Sequence, residues 1–431
     1  MSGAGATLSG MAVTTESIPD ICERAHAAAL RLAGAGTEAK NDALRRAATL
    51  LRGRIDEILA ANAADVEAGQ EAGLDPALLD RLSLDPERVE AMAAGLEAIV
   101  ALPDPVGESL DRRTLESGVE LEQVRVPIGV VAIVYEARPN VTIDAAALCL
   151  KSGNAAVLRG SRSAAASNAV LAGIFAEAVE AAGLPSGSIE LVAGGGRGEL
   201  AELARQEGLV DLIIPRGGEG LKAALKEVAE VPVLYAAGGN CHVYAHADAD
   251  LPMAARIAVN AKVQRPGVCN SAETLLVHEA IAAELLPLVL AELSSAGVEI
   301  VGDDRTRALA GDTEVGVATE EDWATEYHAM KIAVGVVDSL EQAIDHINRY
   351  GTAHSEAIVT SSEEAGRIFT GGVDAACVYV NASIRFTDGY VFGMGAEIGN
   401  STQKLHARGP IGLRELTSTK YILVGTGQIR E

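Results

Sequence analysis

Aromatic side chains are scarce, at 3% of the chain, with one tryptophan and four phenylalanines. The core must therefore be built from Ala, Val, Leu and Ile, within a hydrophobic fraction of 48%. Positive charge is also short. Thirty-five Lys and Arg against 60 Asp and Glu leave a net charge of −25. Phosphate backbones and anionic lipid surfaces need a basic footprint, so neither nucleic acid nor membrane is an expected partner. A small anionic substrate stays open, because it needs only a few local cations. The five cysteines (Cys22, Cys149, Cys241, Cys269, Cys377) are odd in number and contain no Cys-x-x-Cys. Free thiols in a reducing cytoplasm are the reading. No uncharged apolar run reaches the roughly 18 residues of a membrane span. His242 and His246 lie four apart in a segment that reads as a strand, with no third ligand pattern, so no metal is expected. No internal repeat appears at periods of about 20 to 50 residues.

A chain of 431 residues exceeds one simple core, so two or three lobes are expected. Residues 1–17 are rich in Gly, Ala, Ser and Thr without a basic start, which reads as a disordered tail and not a signal peptide. Ala25 to Ala33, Glu38 to Gly69 and Glu87 to Leu102 carry helical apolar spacing. Asp85-Pro86 suits a helix start, and Asp104-Pro105 a stop. Arg113 to Arg125 alternates like a half-exposed hairpin, and Val126 to Tyr135 like a fully buried strand. Strands and helices then alternate. Strands are expected at Ala155–Leu158, Ile189–Val192, Val210–Ile214 and Val231–Ala236, and helices at Ser163–Ala182, Glu199–Gln206 and Leu221–Ala229. This is the rhythm of a doubly wound α/β sheet. A second αβ set follows from Ala280 to Val380, with a helix at Leu340–Tyr350 and a strand at Ala357–Thr360. Tyr421 to Gly425 reads as a closing strand.

The stretch Asn260 to Thr274 concentrates the chemistry. A helix, Leu251 to Lys262, leads through Arg265-Pro266-Gly267 to Cys269, and an apolar strand follows. A turn presents a side chain openly, and a nearby cation lowers a thiol's pKa. Gln264, Arg265, Asn270 and Thr274 suit an anionic substrate. Gly218, Gly220 and Ala223 fit G-x-G-x-x-A after a strand, so Arg216, Gly217 and Gly218 are candidates for a dinucleotide pyrophosphate. A tight turn without ligand explains the pattern equally well. The second cluster, Gly194 to Gly198, also follows a strand. Arg159, Gly160 and Ser161 follow another, where open α/β sheets bind ligands. An arginine there suits a ribose 2′-phosphate, hence NADP. Asn140, after Glu136-Ala137-Arg138-Pro139, is either an oxyanion donor or a plain helix cap.

Three blocks carry a family likeness: Asn260 to Thr274, Tyr135 to Asp144, and Tyr379 to Pro410 with its words Arg385-Phe386-Thr387-Asp388-Gly389, Gly395-Ala396-Glu397 and Ser401 to Pro410. Gly351 to Ile358 fits as well. Together they resemble the gamma-glutamyl phosphate reductase family, the glutamate-5-semialdehyde dehydrogenases of the aldehyde dehydrogenase superfamily. The likeness runs from Ile18 to Arg430. It implies an aldehyde-dehydrogenase-like α/β fold. A Rossmann-like cofactor domain would take 18–110 and 127–245 with part of 385–410, and an α/β catalytic domain 246–384. A small oligomerisation flap would take 111–126 and 411–431. It also implies NADPH-dependent reduction of L-glutamyl 5-phosphate to L-glutamate 5-semialdehyde, with phosphate released, in proline biosynthesis.

By the same likeness, Cys269 is the nucleophile that forms a thioester, and Asn140 with the Cys269 N–H serves the oxyanion. Arg159 stands where the superfamily has a cofactor-binding lysine. Glu326 fits the glutamate on the nicotinamide ribose, although Tyr327-His328-Ala329 departs from the pattern. Arg138, Gln264, Arg265, Ser383, Arg385, Lys404, His406 and Arg408 are the substrate-binding candidates. Hydrolytic relatives carry Glu-Leu-Gly-Gly-Lys before the cysteine, whereas this chain has Ala236-Ala237-Gly238-Gly239-Asn240. Without that glutamate, water is poorly activated against a thioester, as an acyl-phosphate reductase requires. A homo-oligomer, dimer or tetramer, is expected, as is a complex with the kinase that makes the labile substrate, glutamate 5-kinase. The other readings are a different phosphorylating or CoA-linked aldehyde dehydrogenase, and a non-catalytic thiol sensor on the same fold.

Overall fold

A computed structural model of the chain describes residues 16–430, Gly195 and Ala237 excepted. The expected tail therefore lies almost wholly outside the described residues. Its last residue, Ser17, is already a helix cap, accepting from the Asp20 N–H. Tertiary contacts divide the chain into two compact units.

The first unit comprises 1–97, 128–213 and 217–232. It opens with the helices Ile18–Leu32, Thr37–Gly53, Ile55–Glu71 and Pro76–Leu82. The expected single stretch Glu38 to Gly69 is thus two helices. Helix-poor Gly53 precedes Arg54, which leaves helical geometry at φ −116, ψ 26. Pro76–Leu82 was not anticipated, although Asp75-Pro76 is a start signal: the Asp75 carboxylate accepts from Ala77 N and Leu78 N at 2.9 and 3.0 Å. Asp85 does cap the next helix, Pro86–Ala101, through Arg88 N at 2.7 Å.

Its sheet has the order Ile189–Leu191, Ala155–Arg159, Val130–Tyr135, Leu212–Arg216, the last three residues of which are counted with the second unit. Val130–Tyr135 is buried at every position, as a parallel strand covered on both faces should be. The chain winds outward twice and returns to the other side of this strand, which makes a topological switch point. The expected strand Val231–Ala236 does not form. Pro232 has no N–H for a ladder, and its carbonyl accepts one bond, from Ile213 N at 2.9 Å. Arg162–Ala181 is the one segment among the described residues long and apolar enough to cross a membrane, and half of it is buried inside the protein. The helix Ala165–Ala181 packs on Thr37–Gly53 and Ile55–Glu71. Its own cap residue is Ala164, so Asp65 from another helix supplies the acceptors, to Ala166 N, Ser167 N and Ser167 Oγ.

The second unit comprises 98–127, 214–216 and 233–431. Residues 98–110, 214–216 and 233–245, and the part of 385–410 expected with the cofactor domain, are counted with this unit. Its sheet of seven strands runs Gly316–Val317, Glu299–Gly302, Lys331–Val337, Ala272–His278, Cys241–Ala245, Ser355–Val359, Cys377–Val380, every pair parallel. The helix Leu340–Tyr350 forms as expected. Ser109–Thr114, Glu120–Pro127 and Thr417–Val424 form a separate antiparallel sheet. This is the anticipated hairpin, with a C-terminal strand that starts four residues before the expected Tyr421.

One polar pin fixes the start of the central strand in the first unit. Asp211 accepts from Val130 N at 2.8 Å and Asn154 accepts from Gly129 N at 2.9 Å. Gly129 has φ +134, and a Cβ there would overlap the Asp211 carboxylate. Gly129→Ala should therefore cost about 2–4 kcal/mol, through left-handed strain and a displaced carboxylate. A fall in the urea midpoint at constant slope checks this, and an unchanged midpoint would refute the pin.

Candidate active site

Helix Leu251–Val263 is capped by Asp250 on Met253 N at 2.8 Å, with Pro252 in the first turn. It ends at Gln264, and the chain turns through Pro266-Gly267 to Cys269 before strand Ala272–His278 begins. A buried ion pair clamps the two ends of this turn. Lys262 Nζ donates to Glu273 Oε2 at 2.6 Å, and both side chains are fully buried. Burial pushes Glu273 up to about 7 against the opposing pull of Lys262, and burial lowers Lys262.

The backbone of Cys269 is held from the other side by residues 238–241. Gly239 is glycine because a Cβ there would overlap the carbonyl of Cys269. Its N–H donates to Glu326 Oε1 at 2.6 Å, and Glu326 Oε2 lies 3.3 Å from His328 Nε2. The buried Cys241 Sγ donates to the Cys269 carbonyl at 3.2 Å. Asn240 Nδ2 bonds Trp323 O and Tyr350 O at 2.7 and 2.8 Å. Next to this segment Ala236 forms an antiparallel bridge with Ser401. Ala237, between them, lies outside the described residues.

Cys269 is the only one of the five cysteines that is not buried. The expectation that a local cation lowers its pKa is corrected. Burial and then Glu326 push the thiol up, Arg216 pulls it down, Glu397 raises it again, and the net direction is upward. The resting group is a thiol that must lose a proton to react.

The substrate candidates divide. Arg385 Nε donates to Gln264 Oε1 at 2.9 Å, and Arg385 lies in the fields of Arg265 and Cys269. Asn270 Nδ2 donates to Thr387 O at 2.8 Å, tying the Cys269 turn to this loop. Gln264, Arg265 and Arg385 are therefore gathered around Cys269. Ser383 is buried and caps the short turn Ile384–Phe386 through Arg385 N. Lys404 and Arg408 both engage Asp374, at 2.5 and 2.8 Å, and His406 meets the Glu415 carbonyl at 3.1 Å. These three are already committed to protein partners.

In the first unit, Arg138 and not Asn140 is the cap position of helix Pro139–Lys151, which removes the plain-cap explanation of Asn140. Asn140 is exposed, and its Nδ2 donates to Asp144 at 3.1 Å. Arg159 ends its strand buried, with Nη2 on Gly196 O at 2.7 Å and Nε lacking a partner. Gly160 is glycine because Asn168 Nδ2 fills the place of a Cβ, and Ser161 Oγ meets Ser163 Oγ at 2.7 Å. Gly218 N already donates to Glu136 at 3.1 Å, and Gly217 packs on Glu136 and Leu221. A carboxylate thus holds the turn proposed for a phosphate, and Arg216 belongs to the second unit, in the fields of Cys269 and Glu397. The Gly194–Gly198 cluster is described except for Gly195.

The residues that sequence reasoning missed are charged ones whose partners are met only across a turn: Lys262 with Glu273, and Glu397 with Gly389. Lys262, Glu273 and Glu397 all stand in the family blocks, which was the available signal. Lys262→Met should strand the buried Glu273 and cost about 3–5 kcal/mol, and adding Glu273→Met should recover most of it. Urea unfolding of the single and double variants reads this, and equal losses in both would deny the coupling.

The model of the aldehyde dehydrogenase family matches residues 6–332. A gamma-glutamyl phosphate reductase of Moorella thermoacetica is 56% identical over 409 residues, covering 95% of this chain and 97% of the relative. One from Thermobifida fusca is 53% identical over 410 residues, covering 95% and 98%. The crystal structure of a gamma-glutamyl phosphate reductase from Thermotoga maritima superposes with a TM-score of 0.94 at 45% identity, covering 96% of this chain and all of that one. An acetylating aldehyde dehydrogenase from Geobacillus thermoglucosidasius, at 20% identity, TM-score 0.68 and coverage of 96% and 97%, shares the fold. The chain belongs to the aldehyde dehydrogenase family and, within it, to the gamma-glutamyl phosphate reductases, the glutamate-5-semialdehyde dehydrogenases of proline biosynthesis.

Proposed function

We propose that this protein uses NADPH to reduce L-glutamyl 5-phosphate to L-glutamate 5-semialdehyde, releasing phosphate, through a thioester on Cys269. The observation that carries the reading is the setting of Cys269. It is the one accessible thiol, on a turn whose backbone is fixed by Gly239, Cys241 and the Lys262–Glu273 pair. A fixed backbone fixes the attack direction of the sulfur. The thiolate attacks the acyl carbon and the bond to phosphate breaks. The Cys269 N–H and Asn140 are the donors proposed for the oxyanion. Arg385, Gln264 and Arg265 suit the carboxylate and phosphate ends of the substrate. Arg138 and Ser383 extend this set, and Lys404, His406 and Arg408 would join it only by exchanging their present partners.

The residues fit a dinucleotide with a 2′-phosphate. Arg159, buried at a strand's carboxyl end with an unsatisfied Nε, offers a cation to an anionic ligand. Ser161 and Gly160 would line the same end, and Glu326 would take the nicotinamide ribose. When bound, NADPH supplies the hydride. The edge strand Thr417–Val424 leaves Tyr421, Leu423 and Val424 more than half exposed, which supports a homo-oligomer, dimer or tetramer, built through this sheet. A labile acyl phosphate favours direct transfer from its kinase, glutamate 5-kinase. Free thiols suit the cytoplasm.

The reverse reaction tests this. NADP reduction with glutamate semialdehyde should require phosphate and vanish in Cys269→Ala. Phosphate-independent turnover would point to a hydrolytic enzyme. Turnover on other aldehydes alone, or with CoA in place of phosphate, would move the protein to another branch of the family. Ala236→Glu should add measurable hydrolytic dehydrogenase activity, seen as NADP reduction without phosphate. An unchanged product partition would count against the role given to position 236.

A further inference from the structure

Arg385 stands on one tight turn. Ser383 Oγ accepts from Arg385 N at 3.3 Å, Phe386 N donates to Ser383 O at 3.2 Å, and Thr387 N donates to Ile384 O at 3.1 Å. Asn270, the residue after Cys269, holds this turn by its carbonyls. Its Nδ2 reaches Arg385 O at 3.4 Å and Thr387 O at 2.8 Å. The Arg385 guanidinium makes one bond, from Nε to Gln264 Oε1 at 2.9 Å. Its two terminal nitrogens hydrogen-bond nothing among the described residues. Both are therefore open to a carboxylate or a phosphate, which arginine meets with paired bonds.

A buried chain of polar groups fixes the end of the turn. Tyr379 Oη meets Thr387 Oγ1 at 2.7 Å, Thr387 Oγ1 meets Ser355 Oγ at 2.6 Å, and Ser355 Oγ meets His354 Nδ1 at 2.8 Å. His354 and Ser355 are fully buried, and Thr387 is 6% exposed. Ser355 begins strand Ser355–Val359, and Tyr379 lies in its neighbour, Cys377–Val380. A threonine hydroxyl donates once and accepts twice, so one atom can serve both strands. Both contacts are at the short end of the range for O–H···O bonds. Thr387 thus fixes the loop to the sheet by its hydroxyl and to the Cys269 turn by its carbonyl.

We propose that Thr387 is a positioning residue for substrate binding: its hydroxyl, held by Ser355 and Tyr379, sets the Arg385 fork that takes an anionic group of the substrate. This rests on Arg385 binding substrate, and Thr387 acts through it. Without the hydroxyl, Ser355 and Tyr379 lose a shared partner away from water. The turn that ends two residues after Arg385 is then free to shift. A displacement of about 1 Å is enough to spoil a fixed binding geometry. Arg385 holds a group that does not react, so its bonds are made in the bound substrate and the transition state alike. Their loss appears in KM and not in kcat.

The test is Thr387→Val, which keeps the side-chain shape and the carbonyl bond to Asn270 and removes the hydroxyl. It is read by NADP reduction with glutamate semialdehyde and phosphate. One KM, for the semialdehyde or for phosphate, should rise about 10-fold, with kcat within about 2-fold of the parent. The KM that rises identifies the group held by Arg385. Thr387→Ser should restore it. Arg385→Ala should raise the same KM, and adding Thr387→Val to it should change little further, because the two residues act as a unit. A full-size Thr387→Val penalty in the Arg385→Ala background would overturn the proposal. So would a fall in kcat at constant KM, or parent-like constants in Thr387→Val. Parent-like KM values in Arg385→Ala would instead sink the substrate role of Arg385, and the proposal with it. If Thr387→Val does not fold, Tyr379→Phe removes one of the hydroxyls that hold Thr387 and is read in the same cycle. Turnover on other aldehydes alone would sink the assigned substrate, while the cycle run on those aldehydes would still decide the coupling of Thr387 to Arg385.

Discussion

The approach of the Gly239 backbone to the carbonyl of Cys269 is the constraint on which the site depends. No side chain fits between them. The contact brings the start of strand Cys241–Ala245 against a turn that is 28 residues away in sequence at the Cys241–Cys269 bond. Glu326 completes the clamp by accepting from Gly239 N–H, and His328 holds Glu326. The bonds from His328 and Gly239 outweigh burial and keep Glu326 ionised, so a fixed negative charge sits near the thiol.

That arrangement explains why the thiol is not activated at rest. A buried sulfur beside carboxylates stays protonated unless a cation outweighs them, and Arg216 does not. An idle thiolate is prone to oxidation, so a thiol that ionises only as it reacts is the safer resting state. The same burial acts deeper in the unit. His242 is pushed down to about 3 and Glu356 well up, so the pair, 3.1 Å apart, is held without net charge. A chain with a net charge of −25 thus places neutral or paired acids inside and spends its surplus charge on the surface.

Much of the architecture was legible. Val130–Tyr135 is an unbroken β-branched and apolar run, and only a strand covered on both faces buries such a run. Leu340–Tyr350 has a strong one-sided apolar stripe and capped ends, so its bounds emerged intact. The turn around Cys269 was legible because Pro-Gly, flanking polar residues and a following apolar strand are local features. Local signals also misled. Val231–Ala236 has strand composition, but Pro232 cannot join a ladder. Asn140 looks like a cap, but the preceding Arg138 takes that position and Pro139 the first turn.

The sequence by itself determined the α/β class, the alternation of elements, the turn that carries Cys269 and the family, because periodicity, turn chemistry and long motif blocks are properties of neighbouring residues. Tertiary structure alone decided the state of the thiol and the partners of the charged loops. Lys404 and Arg408 meet Asp374, Lys262 meets Glu273, and Arg216 leaves its glycine turn for the field of Cys269. Each outcome depends on distance and burial between groups that are not neighbours in sequence, and electrostatic energy is set by those two quantities and not by spacing along the chain.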